Sequence, residues 1–219
     1  MNQELTAGAW LENPVTGELA RMNVGPADTG GRRVEADLWV QPGGAVAGAH
    51  VHEHFLERFQ VLEGEVGFQV AGSERTACAG DAPVEVPAGV VHDWWNAGAV
   101  VAHVRVQVEA DPAAVGRPAA RFVSMIEAAW SLGALGHVNA KGMPTPLWLA
   151  AVAREYADVI RFVRPPAFVQ AALFGPLAAI ARRSGRDPLA PELHGTGAAC
   201  LIPAPQAESE RAKATSSSQ

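Results

Sequence analysis

Between residues 33 and 108 the chain alternates apolar and polar side chains, and after residue 110 helical spacing takes over. In RVEADLWV (33–40), Val34, Ala36, Leu38 and Val40 fall on one side, and Glu35 and Asp37 on the other. That is the pattern of a half-buried strand, whose successive side chains face opposite ways. EVGFQVAG (65–72) alternates less cleanly. In VVAHVRVQV (100–108), Val100, Ala102, Val104, Val106 and Val108 oppose Val101, His103, Arg105 and Gln107. Turn signals separate the runs at 42–44, 63–64, 71–73, 79–81 and 87–89. Many short strands at close spacing predict a mainly β sandwich or barrel.

The pattern changes at Asp111-Pro112. AARFVSMIEAAWSL (119–132) suits a helix with Phe122, Met125, Ile126 and Ala129 on one stripe. Thr145-Pro146 starts a second helix, with Thr145 as the cap. Leu149, Val152, Ala153, Tyr156, Ile160 and Val163 follow at helical spacing until Pro165-Pro166. Arg154 and Asp158 lie four apart, placed to pair. A third apolar segment reaches Arg183, and Pro176 is expected to kink or split it. From 203 onward the chain is small and polar, which predicts a disordered tail. The organisation that results is an arm at 1–17, a β barrel at 18–112, a helical extension at 113–202 and a tail at 203–219. No internal repeat is visible.

Composition narrows the function. With 48% hydrophobic and 18% charged residues the chain can build a sizeable core. Its net charge of −6 argues against nucleic acid as a partner, since no overall basic field exists to release phosphate counterions. The charge is uneven: residues 1–120 carry a net −9 and residues 121–219 a net +3. Cys78 and Cys200 cannot build a disulfide framework, and the first residues lack a basic-then-apolar leader, so the expected compartment is the cytoplasm. The charge-free run 165–181 is 17 residues long and contains three prolines, whereas a spanning helix needs about 20 apolar residues. No membrane span is expected. The arginines at 161, 164, 182, 183 and 186 leave a peripheral membrane contact through 165–183 as the alternative to helices that cover the barrel or a neighbouring subunit.

One region concentrates chemistry. His50 and His52 are two apart, so on a strand they point into one space. Glu57 follows from beyond a bend, and His92, just after the Pro87-Ala-Gly89 turn, can add a third imidazole. Three neutral nitrogens and a carboxylate suit a divalent transition metal with coordination positions left open, as a reactive site requires. Trp94 and Trp95 point to opposite faces, and one of them, Trp94, is a candidate to stack on a substrate; Gln60 and Phe68 are candidates to line the lumen. His103 shares a face with Arg105 and Gln107, lumen or solvent, and is carried as a substrate contact on the first reading. His54 is a candidate proton carrier or solvated residue, Asp93 points away from the ligand it follows, Gly30-Gly31 reads as a turn, and Cys78 shows no sign of activation.

These residues resemble the cupin superfamily. The first motif, G-x5-H-x-H-x(3,4)-E-x6-G, is matched by Gly44, His50, His52, Glu57 and Gly64. The second, G-x5-P-x-G-x2-H-x3-N, is matched by Gly80, Pro87, Gly89, His92 and Asn96, with six residues instead of five between Gly80 and Pro87. The segments NPVTGE (13–18), KGMPTPLWLA (141–150) and REYAD (154–158) look like a bacterial group of single-barrel cupins with a helical C-terminal extension.

The resemblance implies a double-stranded β-helix, or jelly-roll, barrel with His50, His52, Glu57 and His92 as metal ligands. Fe is the first expectation, with Mn, Ni, Co, Cu or Zn also compatible. It further implies a homodimer and a small-molecule substrate: an enol, a catechol-like or a polyketide-like compound. The reaction expected first is a dioxygenase, in which Glu57 loosens and acts as base. A non-redox isomerase, epimerase or cyclase, and a non-catalytic binding module, are the alternatives.

Overall fold

The two most regular alternating runs pair with each other. The computed structural model, which describes residues 3–45 and 48–205, places β3 (Arg33–Val40) antiparallel to β10 (Ala102–Ala110). The remaining strands are β1 (Trp10–Asn13), β2 (Glu18–Val24), β4 (His50–Val51), β5 (Phe55–Glu63), β6 (Glu65–Val70), β7 (Ser73–Cys78), β8 (Val84–Val86), β9 (His92–Asn96), β11 (Arg161–Phe162) and β12 (Leu201–Ile202). The helices are α1 (Pro118–Ala134), α2 (Pro146–Glu155) and α3 (Ala167–Arg183). One antiparallel sheet runs β12-β1-β2-β3-β10-β5-β8 and the other β11-β4-β9-β6-β7. The fold is therefore a mainly β jelly roll with a C-terminal helical extension.

Register explains which faces are dry. Val34, Ala36, Leu38 and Val40 sit opposite Val108, Val106, Val104 and Ala102, and Phe55, Phe59 and Val61 of β5 join the same core. The second sheet faces them with Val66, Phe68 and Trp94, and Phe59 touches both aromatics at centroid distances of 5.5 and 5.4 Å. Neither the arm nor the extension stands apart from the larger sheet: β1 pairs with β2 on one side and with β12, from the chain's far end, on the other.

α1 is buried on more sides than its predicted stripe. Phe122, Ile126 and Ala129 are half-buried against the core, while Val123, Glu127, Ala128 and Ser131 are more deeply covered. Two of these are polar because they hold the returning C-terminal segment: Glu127 accepts the Gly195 amide at 3.0 Å and Ser131 the Cys200 amide at 3.2 Å. The helix starts hard against Gly31, where an added Cβ would come within 2.7 Å of the Arg117 side chain and φ is +77°. A glycine is required there on both counts.

Three helical expectations are corrected. α2 ends at Glu155 instead of continuing to the prolines, and the chain turns to form β11 against the edge of β4, with Arg161 opposite Val51 and Phe162 opposite His50. Covering an otherwise open strand edge outweighs the helical periodicity of 156–163. Arg154 and Asp158 consequently share no helix; Asp158 pairs with Arg121 at 2.8 Å. Pro176 does not split α3, which is one helix, because it lies on the exposed side, where water can take the place of the missing amide. The polar tail, apart from 203–205, lies outside the described residues.

The outer face of the larger sheet carries a buried charge. Asp37 is 1% exposed, and Arg105 reaches it with Nε at 2.7 Å and a terminal nitrogen at 3.0 Å, and Arg21 at 3.1 Å. Burial would raise its pKa, but the His103 ring at 3.7 Å, the hydrogen bonds from Arg105 and the arginine charge prevail and hold the carboxyl well below its ordinary 3.8. Asp37→Asn is expected to destabilise the fold by about 2–3 kcal/mol, since it leaves the cations without their carboxylate. The folded-state pKa is depressed, so this stabilisation is complete above about pH 4 and lost as pH falls through the lower folded value. Thermal melts of both proteins across that range check it: the gap between them should narrow in acid, and a constant gap would contradict the assignment.

Candidate metal centre

The four predicted ligand residues come from three strands and the residue after one of them. His50 is opposite His92 in the β4–β9 pairing, with ring centroids 4.2 Å apart. His52 follows β4, and its ring meets that of His50 edge-on at 4.7 Å. Glu57 sits in β5 with the parity of Phe55 and Phe59, facing the core. All four residues are buried, and one donor atom from each lies within 4.8 Å of the other three.

Backbone carbonyls set the histidine tautomers. His50 Nδ1 is 2.7 Å from the Gly48 carbonyl, His52 Nδ1 2.6 Å from that of Val159, and His92 Nδ1 3.1 Å from that of Val90. A carbonyl oxygen only accepts, so each Nδ1 carries the proton and each Nε2 turns a lone pair toward the shared space. Carbonyl partners of this kind are what orient histidine ligands in metal sites. Gly89 supports the geometry by donating its amide to the His52 carbonyl at 2.7 Å, with a positive φ of +77°.

Two buried atoms in the cluster test its fit to a cation. His92 Nε2 and Glu57 Oε2 approach to 2.7 Å, yet neither makes a hydrogen bond of acceptable geometry. Buried polar atoms seldom go unsatisfied, and atoms that converge without bonding to one another fit a cation between them. The electrostatics agree. Burial, reinforced by the neighbouring imidazoles, lowers His50 to about 4, and burial also lowers His52, so both are neutral and able to ligate at neutral pH. Burial would raise Glu57, but the His92 contact and the three imidazoles win and keep it ionised. Burial would lower His92, but the carboxylate raises it.

The extension forms one wall of the cluster. The Val159 carbonyl accepts a hydrogen bond from His52 Nδ1, Phe122 of α1 packs edge-on to His52 and Phe55 at 5.6 Å, and β11 lies beside the strand that bears His50. Sequence reasoning missed Val159 because a backbone carbonyl leaves no mark on residue type; Phe122 was visible only as an apolar helix position.

The remaining candidates divide by face. Phe68 and Trp94 are buried on the cluster's side of their strands, opposite each other in register, and share Phe59 as neighbour. Gln60 faces the other way: it lies three positions after Glu57 on one strand, and its amide donates to the Asp81 carbonyl at 3.2 Å. His103 also faces outward, stacked on Trp39 at 4.5 Å beside Asp37. Both side chains point away from the cluster. Trp95 lies outside against Gly67, where an added Cβ would sit 2.4 Å from the indole. His54 is exposed, and Asp93 caps the Trp94 amide. Asn96 is a latch: it donates to the Val40 and Val100 carbonyls at 2.8 and 2.7 Å and accepts the Gly98 amide at 2.9 Å.

Comparison with known proteins matches residues 38–108 to the cupin domain family. Solved structures similar to the chain include the cupin domain of Cnp3 from Schizosaccharomyces pombe (16% identity over 36% of this chain and 57% of that one, TM-score 0.34). They also include an RmlC-like cupin from Shewanella frigidimarina (21% identity over 47% and 85%, TM-score 0.39). A predicted oxalate decarboxylase from Thermotoga maritima is similar at 18% identity over 51% and 93%, with a TM-score of 0.41. The chain spans just over half of the Schizosaccharomyces pombe domain. No curated protein matches it.

Proposed function

We propose, from the premise that residues 38–108 are a cupin domain, that the protein is a metal-dependent enzyme acting on a small organic molecule, and that its reaction is an oxygenation. The observation that carries this reading is the convergence of three Nδ1-tethered histidines and Glu57 on one buried point, with the facing atoms of His92 and Glu57 otherwise unbonded. His50, His52, Glu57 and His92 would hold one divalent ion, Fe(II) first. When bound, it would supply Lewis acidity and, if redox-active, a meeting point for substrate and dioxygen.

The chain's own groups do the rest. Glu57 is ionised and 2.7 Å from His92 Nε2, so it is the group placed to take a proton from an enol or catechol hydroxyl, with the imidazole steadying the charge. Phe68, Trp94 and Phe59 give that space an apolar, aromatic wall that suits a flat unsaturated substrate. Phe122 and Val159 shield it from water on the extension side. A homodimer, implied by the resemblance, and a cytoplasmic location belong to the same proposal.

Oxygen uptake by Fe(II)-loaded protein over a panel of enols, catechols and polyketide-like diketones tests the reading, with Zn-loaded and Glu57→Gln proteins beside it. Consumption by the iron form alone, reduced about a hundredfold or more in Glu57→Gln, is expected. Flat uptake across the panel with full iron occupancy counts against oxygenation. Turnover supported equally by Zn would replace it with Lewis-acid isomerisation or cyclisation.

A further inference from the structure

Helix α3 presents to solvent the face that a surface helix normally makes polar. Phe168, Leu173 and Ile180 are 77%, 51% and 50% exposed, and Ala171, Ala172, Gly175 and Pro176 are exposed between them. On the inner side, Ala178 and Ala181 are buried as α3 packs on α2. The one polar side chain between 168 and 181, Gln170, is turned back to the Phe162 and Pro165 carbonyls at 2.9 and 2.6 Å. The exposed strip is thus apolar from 168 to 181, about 20 Å at 1.5 Å per residue, and a continuous apolar patch marks a contact surface.

Charge identifies what it contacts. No acidic residue lies between Asp158 and Asp187, a stretch that holds five arginines. Arg161 is engaged by Glu53. Arg164, before the helix, and Arg182 and Arg183, in its last turn, are exposed and make no ion pair among the described residues. A second copy laid on this strip would bring like charges together in either direction: Arg164 against Arg164 if parallel, Arg164 against Arg182 and Arg183 if antiparallel. A bilayer surface carrying anionic phosphates meets both features at once, with apolar side chains at the acyl boundary and guanidinium groups among the headgroups.

We propose that α3 is an interfacial helix that seats the protein on anionic lipid membranes. The helix lies in the surface and does not cross it, since no helix among the described residues is long and apolar enough to span. The inference does not depend on the reaction proposed above. It rests on the surface of the extension alone.

The test is co-sedimentation of the full-length protein with vesicles of phosphatidylcholine, with and without phosphatidylglycerol. Binding is expected to the anionic vesicles and to weaken as salt is raised. The triple substitution Phe168→Ser, Leu173→Ser, Ile180→Ser should lower partitioning by about tenfold or more. Each of Arg164→Ala, Arg182→Ala and Arg183→Ala should lower it about fivefold. All these side chains are exposed, so the melting temperature should stay unchanged, which separates lost docking from lost folding. Equal binding to both vesicle types, or binding indifferent to the substitutions, overturns the proposal. So does a concentration-dependent dimer that the same serine substitutions dissolve while vesicles capture nothing, since a second copy would then be the occupant of the strip.

Discussion

Purified protein reconstituted with Fe(II), Mn(II), Ni(II) or Co(II) is expected to retain about one ion per chain, and His50→Ala or His92→Ala to lower that occupancy about tenfold or more. Each substitution removes one of four donors whose partner atoms all lie within 4.8 Å. In the ion-free protein the two variants differ in a way that identifies the site. His92→Ala leaves Glu57, ionised and buried, without the ring nitrogen that faces it at 2.7 Å, so it costs stability on its own. His50→Ala removes a ring lowered to about 4, hence neutral, and costs mainly its packing. The added stability from ion binding should appear only in the wild type, as a melting temperature that rises with ion concentration. Elemental analysis and paired melts measure both quantities. Wild type and variants that retain metal alike, or a wild type that takes up none on reconstitution, would sink the metal-site assignment and leave a ligand-binding barrel.

The second large effect is on the extension. A chain ending at Asp111 should fail to fold into a cooperative unit. Removal of residues 112–219 strips Ala119, Val123, Met125, Ala128, Trp130, Leu132 and Tyr156 from the core, and each large apolar side chain buried is worth about 1.5–3 kcal/mol. For the five large ones that is about 8–15 kcal/mol, as much as the whole net stability of about 5–15 kcal/mol typical of a domain. The cut also opens the edge of β4, takes β12 from β1, and deprives the His52 ring of its Val159 acceptor. The expected product is insoluble, or soluble with dye-accessible apolar surface and a broad melt. A truncated protein that melts sharply and holds one metal per chain would instead make the extension a separate domain.

Much of the fold was legible because strand periodicity is a local property. β3, β6, β10 and α1 fall where alternation or helical spacing put them, since that spacing is set by neighbouring residues whatever the partner is. The segment 156–163 was misread as helix for the complementary reason: its periodicity was adequate for a helix, but β4 offered an unpaired edge that no local signal records. The faces of Gln60 and His103 are not legible in the sequence, because alternation does not say which side of a strand faces in; the contacts of Gln60 with Asp81 and of His103 with Trp39 place both side chains outward.

By itself, the sequence determined the ligand types and their spacing. His50 and His52 two apart, Glu57 beyond a bend and His92 behind a proline-glycine turn are local facts, and the chemistry of imidazole and carboxylate follows from composition alone. Tertiary structure decided which ring nitrogen faces inward, that Val159 and Phe122 of the extension enclose the cluster, and that α3 turns an apolar face to solvent. Each of these depends on a contact between residues far apart in the chain, such as the hydrogen bond between His52 and Val159, 107 positions on. Such a contact uses a backbone carbonyl that every residue possesses. Only the folded chain selects the one that lies within reach.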